Sequence, residues 1–118
     1  MREKDITKEV IRLSKEIAEH WRMEIYEGCW FVSGLDGQPI LYKDILYDPD
    51  YKKPDIPIPS ISDCLEKIRE LGYCMRLEDQ PDFYEFGIWD DVEYAPIATG
   101  ADQNLHQCIL SALLEVVK

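Results

Sequence analysis

The chain has 118 residues, of which 31% are charged, and its 13 basic against 24 acidic side chains give a net charge of −11. This length is typical of a single domain with one hydrophobic core. The excess of acid argues against direct nucleic-acid binding and against anionic membranes, since both need basic residues. No segment is apolar enough to span a bilayer, and the first residues are charged rather than signal-like, so we predict a cytoplasmic protein.

A helix and a hairpin are predicted at the start of the chain. Asp5 or Thr7 can cap the helix, which runs to about Trp21. Its apolar positions recur at helical spacing: Val10, Leu13, Ile17 and Trp21. The segments 29–33 and 38–42 are rich in β-branched and aromatic residues and are joined by the sequence Gly-Leu-Asp-Gly. They predict two strands connected by a tight turn.

The segment 43–59 holds four of the seven prolines. Proline blocks both a helix and a central strand, so we predict a long acidic loop here. We expect this loop to be the most mobile connection of the domain, or its main contact with a partner. Its Tyr47 and Tyr51 are candidate contact residues, because tyrosine is enriched at protein interfaces.

The second half of the chain starts with a helix capped by Ser60 or Ser62 and stopped by Gly72. Its predicted apolar face consists of Leu65, Ile68 and Leu71. Three strands are predicted next, at 73–77, 83–89 and 92–97. Aromatic residues lie on both faces of the strand 83–89, which predicts helices on both sides of the sheet.

The last helix, predicted over 104–117 with Asp102 or Asn104 as its cap, is the most apolar stretch of the chain. Its apolar stripe consists of Leu105, Cys108, Ile109, Ala112, Leu113 and Val116, widened by Leu110, Leu114 and Val117. A stripe this wide predicts the most buried element of the fold, with His106 on the narrow edge that faces water.

The predicted order of elements is α-β-β-α-β-β(-β)-α, with a mostly antiparallel sheet. It indicates the α+β class and, more finely, a three-layer α/β/α sandwich formed by one domain of residues 1–118.

The chain resembles the phage ABA (α/β/α) sandwich domain, a family of small phage and prophage proteins. The resemblance rests on Asp5-Ile6 before the first helix, on residues 57–68 (Pro-Ile-Pro-Ser-Ile-Ser-Asp-Cys-Leu-Glu-Lys-Ile), and on the closing helix within 101–117. The motifs are structural and span nearly the whole chain. The resemblance therefore implies a fold and a phage or prophage origin, and it implies no reaction and no catalytic residues.

No cofactor or metal site is predicted. The four cysteines are Cys29, Cys64, Cys74 and Cys108, and their wide spacing contains no Cys-x-x-Cys pair. Without a signal peptide, reduced thiols are the expected state. His106 and Cys108 lie two apart on a helix, so their side chains point in different directions and cannot share one ion.

The acidic residues have two interpretations, a surface that only keeps the protein soluble and a surface that contacts a partner. Between Arg76 and Lys118 there is no basic residue but there are nine acids. Asp90, Asp91 and Glu93 lie at a predicted hairpin tip, which would project toward a protein partner, and a basic partner would fit best. We therefore predict a non-enzymatic protein-interaction module with no catalytic residue.

Three alternatives remain open at this point. One is an acidic mimic of DNA that inhibits a nucleic-acid-binding protein. Another is a small hydrolase that uses Cys29, His20 or the carboxylates Asp44, Asp48 and Asp50. The third concerns assembly, since an apolar helix face could instead form a homodimer.

Overall fold

The computed structural model describes residues 2–43, 55–90 and 94–118. These residues form three α-helices and two three-stranded antiparallel sheets, which confirms the predicted α+β class. The chain divides into two compact units, Met1–Ser60 and Ile61–Lys118, with one sheet in each. Among the described helices, none has the length and apolar character needed to cross a membrane.

The first unit begins with a 3-10 turn at Glu3–Asp5 and helix α1 at Lys8–Ala18. Of the two predicted caps, Thr7 is the one used, and its side chain accepts a hydrogen bond from the backbone N–H of Val10 at 3.1 Å. The predicted apolar positions Val10, Leu13 and Ile17 are buried. The helix ends at Ala18, so Trp21 lies beyond it.

Helix α1 also buries Ser14, whose side chain is 0% exposed and whose Oγ has no hydrogen-bond partner among the described residues. A buried hydroxyl without a partner costs about 1–3 kcal/mol. We therefore expect Ser14→Ala to raise the free energy of unfolding by about 1 kcal/mol in urea denaturation. Leu13→Ala, which deletes buried apolar volume in the neighbouring position, should lower it. A less stable Ser14→Ala protein would contradict this prediction.

The sheet of the first unit has the order β2-β1-β3, with β1 at Trp30–Val32, β2 at Pro39–Leu41 and β3 at Ile56–Ile58. Pairing of β1 with β2 confirms the predicted hairpin. The interpretation of 43–59 as loop throughout is wrong for β3, which pairs with β1 and places Pro57 opposite Phe31. An edge strand tolerates proline because one of its sides needs no N–H donors.

The second unit opens with helix α2 at Ile61–Glu70, immediately after Ser60. Gly72 ends it as predicted: its φ of +82° favours glycine, and its N–H donates to the Arg69 carbonyl at 2.9 Å. The N–H of Tyr73 donates to Ile68 at 3.2 Å, which completes a Schellman motif. The buried residues are Cys64 and Ile68, whereas Leu71 is exposed, contrary to the predicted face.

The sheet of the second unit has the order β4-β5-β6, with β4 at Cys74–Asp79, β5 at Tyr84–Trp89 and β6 at Ala98–Asp102. Strands β4 and β5 confirm the predictions for this region. The third predicted strand is misplaced, because Tyr94 and Ile97 are exposed and lie outside any strand. The pairing falls instead on a sequence of small residues, which sequence propensity does not favour.

Helix α3 spans Leu105–Val117 and is capped by Asn104, whose side chain accepts from the N–H of Gln107 at 3.0 Å. Seven of its 13 residues are buried, more than in either other helix, so the prediction for this element is confirmed. His106 is buried rather than exposed. It lies four residues before Leu110 and seven before Leu113, and these spacings place it on the same buried face.

Helix α3 packs closely on β6 at Gly100. A Cβ atom added to Gly100 would lie 2.1 Å from the carbonyl oxygen of Cys108 and 3.1 Å from the nitrogen of Ala112. The strand backbone therefore contacts the helix backbone directly. The Cys108 thiol donates to the carbonyls of Gly100 at 3.3 Å and Tyr84 at 3.4 Å, so it connects the helix to two strands.

Candidate interaction surface

The sheet of the second unit has one buried and one open face. The register places Phe86 opposite Gly100 and Ile88 opposite Ala98, and these four residues are buried on the side of α3. We call the other side the outer sheet face. It consists of Cys74, Arg76, Glu78, Glu85, Gly87, Trp89, Thr99 and Ala101. Most of these side chains are exposed, so the outer sheet face is available for contact with a partner.

An indole ring lies on this face above a glycine. A Cβ added to Gly87 would be 2.5 Å from Cη2 of Trp89 and 2.6 Å from its Cζ3. The six-membered ring therefore lies over the backbone of Gly87, two residues earlier on the same strand. Trp89 is half-buried, and Gly87 is buried beneath it. The missing side chain at Gly87 thus determines where the indole lies.

Two carboxylates face each other across the strands beside this ring. Glu78 of β4 is the register partner of Glu85 of β5. Like charges directly opposite in an antiparallel pair destabilise the sheet. Arg76 offsets part of this repulsion, since its Nε lies 3.4 Å from Oε1 of Glu78. Glu85 is exposed and has no ion-pair partner within the described residues.

A shallow depression of about 140 Å³ lies at the centre of the outer sheet face. The residues around it are Arg76, Glu78, Glu85, Gly87, Trp89, Pro96 and Thr99. It combines an aromatic surface with two carboxylates and one guanidinium. Such a set can bind a cationic side chain, by contact with the indole and by pairing with the carboxylates.

Of the five residues predicted from the sequence as partner contacts, one lies in the described part of the chain, next to this surface. Asp90 directly follows Trp89 at the end of β5 and is half-buried. Asp91, Glu93, Tyr47 and Tyr51 lie outside the described residues. Their contact roles stay predictions. Glu78, Glu85 and Trp89 form no recognisable motif in the sequence, and they were not predicted as a site.

Of the candidates for nucleophilic chemistry, the described part of the chain contains Cys29 and His20, and neither lines a cavity described in it. A second groove, of about 360 Å³, lies beside the turn at Gly34 and is lined by neither Cys29 nor His20, and the same holds for the depression near Trp89. Cys29 Sγ accepts a hydrogen bond from the backbone N–H of Tyr26 at 3.3 Å. Asp44, Asp48 and Asp50 lie outside the described part of the chain. Within that part, no three His, Cys, Asp or Glu side chains cluster as metal ligands would.

The four cysteines all lie in described segments, and none forms a disulfide. Cys29, Cys64 and Cys108 are buried, and Cys74 is exposed on the outer sheet face. Burial raises the pKa of the Cys64 thiol far above its ordinary value, and burial also raises the pKa of Cys108. A protonated thiol is a poor nucleophile, so neither of these two is an activated cysteine.

We expect one cysteine of the native protein, Cys74, to react with iodoacetamide at mildly alkaline pH, as counted by mass spectrometry. The buried thiols should react only after denaturation, and Cys74→Ser should leave the native protein unlabelled. Labelling of a second cysteine without denaturant would contradict this.

The raised pKa values of the Cys64 and Cys108 thiols also predict a loss of stability once the pH exceeds the ordinary thiol pKa, because only the unfolded chain then ionises these groups.

No family model, curated protein or solved structure matches this chain.

Proposed function

We propose that this protein is a non-enzymatic interaction module whose outer sheet face binds a basic protein partner. The observation that carries the proposal is the cross-strand pair Glu78 and Glu85 beside the indole of Trp89. Opposed carboxylates cost stability in the free protein. A cation from a partner would reduce the repulsion between the two carboxylates. The pair therefore costs stability in the free protein and becomes favourable when a basic partner is bound.

The charge of the second unit supports the same proposal. Residues 61–118 contain four basic and twelve acidic side chains, a net charge of −8. At physiological ionic strength the resulting field is screened within about 8 Å, so it acts on close partners. Complementary charge mainly increases the association rate and selects among partners. The surface by which a protein binds DNA is basic, so it would complement the acidic surface of this unit. An acidic DNA mimic is therefore one form of the proposed module.

The proposal extends to the features predicted for the rest of the chain. Asp90, Asp91 and Glu93 would continue the acidic surface from the end of β5, and Tyr47 and Tyr51 would add contacts from the proline-rich loop. A cytoplasmic location, a phage or prophage origin and the three-layer α/β/α arrangement of the resembled family also belong to the proposal. Binding of a basic partner at Glu78, Glu85 and Trp89 requires none of these features.

Two single substitutions that remove the same charge test the proposal. Glu85→Gln changes the outer sheet face, and Glu115→Gln changes an exposed residue of α3 that pairs with Lys118 at 3.0 Å. The probe is a short peptide of arginine and glycine, with an aspartate and glycine peptide of the same length as its control, and affinity is measured by calorimetry. We expect the basic peptide alone to bind, and Glu85→Gln to weaken it about two- to fivefold, as loss of an exposed ion pair does.

Glu115→Gln should weaken binding less than Glu85→Gln does. Equal effects of the two variants would show that only net charge matters and would contradict the proposed surface. Denaturation of the same proteins separates binding from folding. Glu85→Gln removes a like-charge contact, so it should be at least as stable as the wild type.

A further inference from the structure

We propose that the depression beside Trp89 receives an arginine side chain of the partner. Its guanidinium would stack on the indole face that points away from Gly87 and pair with Glu85. This inference rests on the proposed function and makes it specific, because it names the group that is recognised and the residue that selects it.

The indole of Trp89 has one covered face and one open face. One face of the six-membered ring lies against the backbone of Gly87, since a Cβ there would come within 2.5 Å of it. The opposite face is directed away from the strand, toward the open side of the sheet, where a cation can approach the negative surface of the π-system.

The two carboxylates differ in their neighbours. Glu78 already has two neighbours, the Arg76 guanidinium at 3.4 Å and the side-chain amide of Gln80, which donates to it at 3.3 Å. Glu85, directly opposite, forms no ion pair within the described residues, because the nearby Arg76 pairs with Glu78 instead. A cation on the indole would therefore complete an alternating arrangement of charges, with Arg76 on one carboxylate and the partner's side chain on the other.

Size and shape favour a single side chain, and a guanidinium over an ammonium. The volume of about 140 Å³ is below the range of about 300–1,000 Å³ for sites that enclose a small-molecule ligand. A guanidinium is planar and weakly hydrated, so it can stack on an aromatic ring and still donate two parallel hydrogen bonds to one carboxylate. An ammonium is more strongly hydrated and cannot stack in this way.

Three peptides that differ only at one central residue test the inference. That residue is arginine, lysine or citrulline, the last being a neutral analogue of arginine with the same shape. The readouts are affinity and the indole N–H resonance of Trp89, assigned by its loss in Trp89→Phe. We expect the arginine peptide to shift this resonance and to bind about two- to fivefold more tightly than the lysine peptide. The citrulline peptide should not bind, and equal binding of arginine and citrulline, or of arginine and lysine, would overturn the inference.

Three variants separate the indole from the charge. Gly87→Ala displaces the ring and leaves every charge in place, Trp89→Leu removes the π-system, and Trp89→Phe keeps an aromatic face. We expect the first two to abolish the preference for arginine and the third to retain part of it. Amide resonance dispersion identifies any variant that is not folded, in which case the pair Trp89→Leu and Trp89→Phe decides.

The two proposals fail in different ways. If Gly87→Ala and Trp89→Leu bind the arginine peptide like the wild type while Glu85→Gln does not, the stacking inference is wrong and the acidic surface stands. If no basic peptide binds the wild-type protein, the proposed function itself is wrong.

Discussion

Gly100→Ala should destabilise the second unit by about 3 kcal/mol, at the upper end of the usual cost of overpacking. The added methyl carbon would lie 2.1 Å from the carbonyl oxygen of Cys108 and 3.2 Å from its carbon. Both atoms belong to the backbone of α3, so no side-chain rotation can relieve the overlap. The helix would have to move away from β6, and the hydrogen bond from the Cys108 thiol to Gly100 would be lost.

Gly87→Ala is the matched control for this substitution. It adds the same methyl group to the same sheet, and its closest neighbour would also be under 3 Å away. That neighbour is the ring of Trp89, an outer side chain that can rotate away, so we expect a cost below about 1 kcal/mol. Urea denaturation followed by circular dichroism measures both variants. Similar losses for the two substitutions would contradict the distinction between backbone and side-chain overlap.

Local sequence patterns were sufficient to predict the helices. The apolar spacing of α1 and α3, the cap residues Thr7 and Asn104, and the stop at Gly72 each depend on residues within one or two turns. The hairpin of β1 and β2 was predictable for the same reason, because its turn residues lie between its strands. The exposed position expected for His106 was wrong because α3 buries a wider face than its apolar residues outline.

The strands β3 and β6 could not be predicted from their own residues. Proline at position 57 argues against a strand unless the strand is known to be an edge, and that is a property of the whole sheet. Ala98, Gly100 and Ala101 have low strand propensity, whereas the preceding segment 92–97 contains Val92, Tyr94 and Ile97, which favour strands. The position of β6 depends on its contact with α3, which requires small residues in the strand. The strand and the helix are separate elements, so the periodicity of either one alone does not reveal their contact.

The candidate surface was partly visible in the sequence. Alternation within β5 placed Glu85, Gly87 and Trp89 on one face, and the aromatic character of that face predicted a covering helix. The indole covers Gly87 instead. The opposition of Glu78 and Glu85 depends on the register of β4 against β5, which a one-residue shift would abolish. Pairing register is set by the turn and the buried face together, so local propensity does not reveal it.

Leu113→Ala should lower the free energy of unfolding by about 2–5 kcal/mol, the range for truncation of core leucines. Leu113 is 0% exposed and lies near the middle of α3, one residue after Ala112, whose nitrogen is close to Gly100. Because the helix backbone already contacts the strand there, α3 has little room to move inward and fill the space. We therefore expect a value in the upper half of that range.

Glu115→Ala provides the comparison on the same helix. Its side chain is 52% exposed and pairs with Lys118 at 3.0 Å, and such surface pairs contribute at most about 1 kcal/mol. Denaturant midpoints measured at an unchanged m-value would give the two differences directly. Trp89 is the single tryptophan of residues 61–118, so comparing fluorescence of the Leu113→Ala protein with and without Trp89→Phe assigns the transition to the second unit. If Leu113→Ala lowered the free energy of unfolding no more than Glu115→Ala, α3 would not be the packing centre of that unit. The sheet would then not depend on the core leucine of this helix for its packing.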